Sequence, residues 1–430
     1  MAAAEALNTG QRTVFIGYRP RMTDAERLFL ANGVFRKAIM AGGWLPLSIR
    51  LAVELDFSAA QLLLLGTAME LTMFLGEIPT GVVADVFSRK WSVIIGGLMI
   101  FSAQLASGVV DEWVLYLVTQ SVWGLGWTFI SGAEIAWVTD EVGSADAVEP
   151  LLLRRGRLEF AAVIAGIAFF AALTLVMPLG TSVVLAGGLG ICWMLFLAMA
   201  MKETAFAPET EGRRARFVRT VGDGARFTWQ NRGLRVLGIA LVLGGMGAEA
   251  VDRLDVRRLE DLGMSDEISP ILVFAAVMIG KSLLGGLLLW RYQRRFEGRG
   301  VVAGFSTLLA LVALGAFLLA QVPILAFAAV MLVIQGGLLD MTDPLIGTWT
   351  NALAPSGARA TVHSFIGQAR SLGEIGGGVT LGVVASASSV PVVWTVAAGL
   401  FLGAAGVASS GRRHWDRSGL TSCGGASHYS

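Results

Sequence analysis

The stretch Glu77-Ile-Pro-Thr-Gly81-Val-Val-Ala-Asp85-Val-Phe-Ser-Arg89-Lys90 is a polar knot between two long apolar runs. Residues 59–80 before it and 91–110 after it are each long enough to cross a bilayer as a helix. Pro79 and Gly81 punctuate the end of the first run, and Asp85, Arg89 and Lys90 make a short turn that belongs in water. The reading is a tight loop joining two antiparallel membrane helices. Gly81 leaves room for close helix approach, and Asp85 can accept from nearby helix N-terminal amides.

The pattern repeats outward from this hairpin. Of 430 residues, 55% are apolar and 15% charged, with a mean hydropathy of +0.67, where a soluble chain carries about 25% charge. Spans are predicted at 28–48, 59–80, 91–110, 114–137, 158–178 and 183–201, then at 234–252, 270–290, 301–320, 323–343, 361–386 and 391–410. Helices are required because all their backbone groups are satisfied internally, and the runs are too long for barrel strands. The fold class is therefore an all-α polytopic membrane protein, with twelve transmembrane helices in two pseudo-symmetric six-helix halves. The expected organisation is an N-terminal segment (1–26), a first half (27–201), a basic linker (202–233), a second half (234–410) and a flexible tail (411–430). Lys and Arg fall 25 on the side of the termini and 4 on the other, which places both termini in the cytoplasm. Cys192 and Cys423 do not suggest a pair, His363, His414 and His428 have no zinc spacing, and no metal or cofactor is implied. No removable signal peptide is read ahead of the first span. A phosphate-binding Gly-x-x-x-x-Gly-Lys-(Ser/Thr) loop is absent from the sequence.

The opening stretch resembles the loop signature of major facilitator superfamily transporters, Gly-x-x-x-Asp-(Arg/Lys)-x-Gly-x-(Arg/Lys). Gly81, Asp85, Arg89 and Lys90 are in register, while Val86 and Ser88 depart from it. Further pieces are similar to the same superfamily: Ser131-Gly132-Ala-Glu134 with Asp140, Lys202-Glu203-Thr204-Ala-Phe206-Ala-Pro208, Glu249-Ala-Val-Asp252-Arg253-Leu254, and Arg359-Ala-Thr361-Val-His-Ser364 with its later glycines. Gln120 stands where proton-coupled drug exporters of that superfamily carry an arginine, and residues 158–178 lack their Gly-Pro-x-x-Gly-Gly run. The resemblance implies an alternating-access secondary transporter of a small organic solute, a lipophilic drug or a metabolite. It also implies export in exchange for protons across the cytoplasmic membrane by a monomer. A facilitator or uptake symporter of the same fold is the first alternative. An intramembrane enzyme is the second, for which clustered nucleophiles or histidines are lacking.

Charge within the spans points to function on its own, because an ionisable group at mid-membrane is costly unless paired or hydrated. The expected conformational latch comprises Gly81, Asp85, Arg89 and Lys90, with Glu77 and Asp140 near the same end. The expected coupling and translocation path comprises Arg36, Glu70, Glu134, Glu249, Asp252, Arg253, Lys281, Asp340, Arg370 and Glu374. Arg370 and Glu374 are one helical turn apart and can satisfy each other. Lys37 sits about 100° around the helix from Arg36 and is expected to point elsewhere. Trp123 and Trp127, one turn apart, read as packing before a solute cage. Arg36 and Glu70 lie roughly 13 Å and 15 Å from the cytoplasmic ends of the first two spans, so they are expected to pair at matched depth, with Glu70 as proton carrier.

Overall fold

A computed structural model describes residues 22–207, 226–267, 269–292, 300–355 and 359–411. The N-terminal arginines up to Arg21, linker residues 208–225, Arg294, Arg295, Arg299 and the tail from Arg412, with His414, Cys423 and His428, lie outside the described residues. Within the described residues the first half contains α1 (Asp24–Ile49), a π-helical turn (Arg50–Glu54), α2 (Ala59–Val86), α3 (Arg89–Ser107), α4 (Trp113–Ile130), α5 (Ala133–Val142), α6 (Ala145–Thr174) and α7 (Leu179–Ala200). The second half contains α8 (Arg232–Glu260), the short α9 (Met264–Glu267), α10 (Pro270–Tyr292), α11 (Gly300–Gln321), α12 (Leu325–Asp340), α13 (Thr342–Leu353), α14 (Arg359–Ala387) and α15 (Val390–Ser410).

Two spans are broken. Gly132, at φ +72°, separates α4 from α5, and a turn at Met341 separates α12 from α13. Counting each broken pair as one crossing gives twelve spans, so both described chain ends lie on one side, here termed the terminal side. Among the described residues, nine helical spans are long and apolar enough to cross a membrane by composition alone. The three that fall short are α1, α4–α5 and α14. They carry Arg36, Gln120 with Glu134, and Arg370 with Glu374, so their lower hydropathy reflects charge turned into the protein.

Helix starts follow local capping chemistry. Thr23 with Glu26 and Ser58 with Gln61 form reciprocal capping boxes, the Ser88 hydroxyl accepts from the Trp91 amide, and Asn231 caps α8. Two boundaries differ from expectation. α2 does not stop at Pro79 but continues to Val86, with the Thr80 hydroxyl donating to the Gly76 carbonyl at 2.9 Å in the turn around the proline. The turn is thus only Phe87–Ser88, and Gly81 and Asp85 ride on helix. α6 begins at Ala145 instead of 158, so Arg154, Arg155 and Arg157 are helical residues and not a loop.

Glycines set the close approaches within each half. Gly166 packs on the backbone of Ala38, Gly96 on that of Gly126, and Gly377 on that of Met246. Between halves, α2 packs against α14 and α8, and α6 against α10. The α2–α14 seam is made by Leu63 and Thr67 against Gly378, towards the end opposite the termini. At that far end Arg257 of α8 donates to Asp56 at 2.5 Å. On the terminal side Leu75, Ile78 and Phe87 are exposed, and a Cβ on Gly81 or Gly367 would meet no atom within 4 Å. The halves are closed at the far end and parted at the terminal end.

Candidate functional site

A cavity of about 400 Å³ lies between the halves. Helices α1 to α4 bring Lys37, Trp44, Glu70, Gln104, Gln120 and Trp123 to it, and α8, α10 and α14 bring Glu249, Asp252, Arg253, Asp255, Lys281 and Glu374. Towards the far end it narrows to a neck of about 20 Å³ between Trp44, Ser48, Leu51, Leu62 and Asp252, room for about one water. Gly66 permits the crossing at that level, since a Cβ there would overlap the Glu249 carboxylate. Arg253 donates to Glu249 at 3.2 Å, and its guanidinium stands 5.4 Å from the Trp44 ring centre.

The expected Arg36–Glu70 pair does not form. Arg36 turns into the first half and donates to Glu134 at 2.8 Å, where Asn32 (2.6 Å) and Arg155 (2.9 Å) also donate. Arg155 bonds Glu159 at 2.6 Å, and Trp193 donates to Asn32 at 2.9 Å. Helices α1, α5, α6 and α7 are thereby tied to one carboxylate, with the Arg36 and Glu134 side chains each 5% exposed. The break at Gly132 restarts α5 so that Glu134 faces inward. A carboxylate held by two guanidiniums cannot surrender its charge without leaving Arg36 uncompensated, since Glu159 answers Arg155 alone, so Glu134 acts as a counter-ion to the network. Glu70 faces the opposite half, where its carboxyl lies against those of Glu374 and the Ser371 hydroxyl.

The remaining path candidates divide. Glu374 accepts from Arg370 at 2.9 Å, and Arg370 also reaches Asp343 at 2.8 Å. Lys281 stands 3.8 Å from Asp255, and Gly336 makes room for its stem beside Asp340. Asp252 is exposed to the cavity. Lys37 also lines the cavity, against the expectation that it points elsewhere, because the face opposite Arg36 is the one turned to the cleft. Lys37, Arg155, Asp255 and Gln104 were missed. Arg155 was hidden by an apparent loop, and the other three differ from their neighbours only in which way they face.

The signature residues are engaged within their own half. Arg89 pairs with Asp140 and with Asp85 (3.8 Å) and donates to the Ala136 carbonyl at 3.0 Å. Glu77 accepts from Ser131 at 3.1 Å. Lys90 contributes its backbone: its amide and the Ser88 hydroxyl donate to Glu203 at 2.9 Å and 2.5 Å, and Phe206 lies under Arg89. Beyond the apolar span, Glu141 accepts from the amides of Thr204 (2.6 Å) and Ala205 (2.9 Å). Burial pushes its carboxyl up, but these bonds and the one from the Thr204 hydroxyl outweigh it and hold the group below its ordinary value. The hairpin and the exit from α7 thus form one hydrogen-bonded unit.

Two six-helix halves around a central polar cavity define the class: a membrane transporter, not an enzyme. The chain belongs to the Major Facilitator Superfamily, whose sequence profile matches residues 37–378. It is 22% identical over 377 residues to the uncharacterised MFS-type transporter YxaM of Bacillus subtilis (strain 168), covering 84% of this chain and 90% of that one. The nucleoside transporter NupG is similar in fold, with a TM-score of 0.70 at 13% identity, over 92% of this chain and 99% of that one. A bacterial homologue of the human lysosomal transporter Spinster, in an inward-facing and unoccupied conformation, gives 0.63 at 16% identity over 94% and 98%. A POT family transporter in complex with 5-aminolevulinic acid gives 0.69 at 10% identity over 90% and 96%.

Proposed function

We propose that this chain exports a small organic solute by alternating access, in exchange for protons, across the cytoplasmic membrane with both termini in the cytoplasm. The observation that carries the reading is Glu70 of the first half lying against Glu374 of the second. Two carboxylates set side by side favour a shared proton, because like charges at close range cannot both stay ionised. They meet only while the far ends of the halves are together. Closing the far end therefore takes up a proton from outside. Solute entering the cavity from the terminal side coincides with loss of that proton inward, and the two bare carboxylates then repel and drive the far end open. The basic bias of the terminal side gives the direction, since that side faces the cytoplasm. In the opposite state, the hairpin from Gly81 to Lys90 serves as the latch that closes the cytoplasmic end.

The test uses purified protein in proteoliposomes with an imposed pH gradient, comparing the native chain with Glu70→Gln. Glutamine keeps the shape and can donate to Glu374 without a proton. The variant is expected to bind solute and to lose gradient-driven flux. Full gradient-driven flux by Glu70→Gln refutes the carrier assignment, and flux by the native chain that ignores the gradient makes the protein a facilitator.

A further inference from the structure

Most of the charged side chains that line the cavity have a partner, and one on each side, Lys37 and Asp252, has none within ion-pair distance among the described residues. Arg253 is matched by Glu249 at 3.2 Å, Lys281 by Asp255 at 3.8 Å, and Arg370 by Glu374 at 2.9 Å. Glu70 is accounted for by its contact with Glu374. Asp252 of the second half has no hydrogen bond or ion pair within 4 Å among the described residues, Arg370 acting on it only from further off, and it is exposed to the cavity. Lys37 of the first half forms no ion pair among them either, and its ammonium stands 5.9 Å over the Trp127 ring. Glu159, a first-half carboxylate that acts on it from beyond ion-pair distance, is held by Arg155 at 2.6 Å. Lys37 lies about 18 Å before the far end of α1, and Asp252 about 12 Å before that of α8, so the two are offset in depth as well as set on opposite walls. Trp44 and Trp123 line the space, and the 5%-exposed Gln104 leaves its amide oxygen without a partner.

A charge that faces the solute space without an ion-pair partner is free to pair with a solute group of the opposite sign, and in a confined cavity that pairing is stronger than in open water. We infer that the solute is a zwitterion, whose ammonium pairs with Asp252 and whose carboxylate pairs with Lys37, with an apolar body against the tryptophans. An amino carboxylate whose two charges stand at opposite ends of an aromatic or aliphatic body fits both the volume and the offset. A solute with one charge answers one wall and leaves the other unmatched. This inference rests on the reading of the cavity as the solute site in the proposed function.

The test is a binding titration in detergent with three isosteres: 4-(aminomethyl)benzoate, 4-methylbenzylamine and 4-methylbenzoate. The native protein is expected to bind the zwitterion at least 10-fold more tightly than either singly charged compound. Asp252→Asn is expected to erase the preference over 4-methylbenzoate only, and Lys37→Gln the preference over 4-methylbenzylamine only. A crossed pattern of this kind cannot arise from misfolding, which weakens all three compounds together. Equal binding of the zwitterion and 4-methylbenzylamine by the native protein overturns the inference, as does a Lys37→Gln variant with unchanged ratios. Binding needs no gradient, so an absence of pH-driven flux in vesicles would defeat the proton-exchange reading and leave the charge preference standing.

Discussion

The seam between α2 and α14 supplies a sharp test of the rocking scheme. A Cβ added at Gly378 would overlap the Thr67 hydroxyl and stand 3.0 Å from the Leu63 carbonyl oxygen. Thr67 can rotate away, but only by giving up its bond to that same carbonyl, made at 3.1 Å. The carbonyl itself is helix backbone and cannot yield locally. Overpacking of this kind costs about 1–3 kcal/mol, which is about 5- to 150-fold in a two-state ratio. The helix gains about 0.5–1 kcal/mol from losing a glycine, but it gains this in both states and the ratio is unaffected. Gly378→Ala is therefore expected to raise the population open at the far end by that factor. The assay is the labelling rate of Gln120→Cys, a cavity position, by a membrane-impermeant thiol reagent applied from the far side, in a background lacking Cys192 and Cys423. Gly399→Ala is the control, since a Cβ there meets nothing within 4 Å. A native-like labelling rate in folded Gly378→Ala would refute the claim that this seam holds the far end shut.

Three further outcomes are expected. Glu134→Gln leaves Arg36 buried without its counter-ion and Arg155 with Glu159 alone, a loss of about 3–5 kcal/mol, so thermal unfolding in detergent should shift clearly downward; an unchanged transition would deny the network its structural role. Asp56→Asn removes the Arg257 bridge, but the Asp56 side chain is 80% exposed, so the effect is about 0–1 kcal/mol and the Gln120→Cys labelling rate should rise by less than about 5-fold, as it should with high salt on the native chain. The Glu141 carboxyl is held below its ordinary value, so its tether to Thr204 and Ala205 is fully present above the unfolded value of about 4.3 and is lost as pH falls through the lower folded one. Hydrogen exchange of the Thr204 and Ala205 amides should therefore lose protection only on strong acidification, and Glu141→Gln should show weaker, pH-independent protection.

Much of the architecture was legible because a bilayer imposes length and apolarity on every span, and counting at 1.5 Å per residue also fixes depth. Rotation about each helix axis is what counting does not fix. Arg36 and Glu70 sit at similar depth on consecutive helices, yet one faces Glu134 inside its half and the other faces Glu374 across the cavity. Lys37 reached the cavity through the same ambiguity, by the roughly 100° that separates it from Arg36. Arg155 was lost for a different reason. The run Leu151-Leu-Leu-Arg154-Arg155-Gly156-Arg157 reads as a loop by charge, but α6 extends beyond the apolar span, and Gly33 leaves the space that the Arg155 side chain fills.

The placement of these charges has a mechanical consequence. Glu134 joins α1, α5, α6 and α7 through hydrogen bonds that never leave the first half, and the hairpin, α5 and the exit from α7 are stitched together in the same way. Gly373 and Gly377 bring α14 onto the backbone of α8 within the second half. Polar contacts across the halves are of another kind, one exposed ion pair, one guanidinium over an indole and one carboxyl against another, set beside the apolar packing of α2 on α14 and α8 and of α6 on α10. Each of those polar contacts is worth about a few kcal/mol at most. Polar contacts this weak across the seam let a proton or a small solute weigh on which end is open, since a ligand shifts an equilibrium only by its differential affinity for the two states. A tighter seam would leave the carboxyl pair without the leverage to open it.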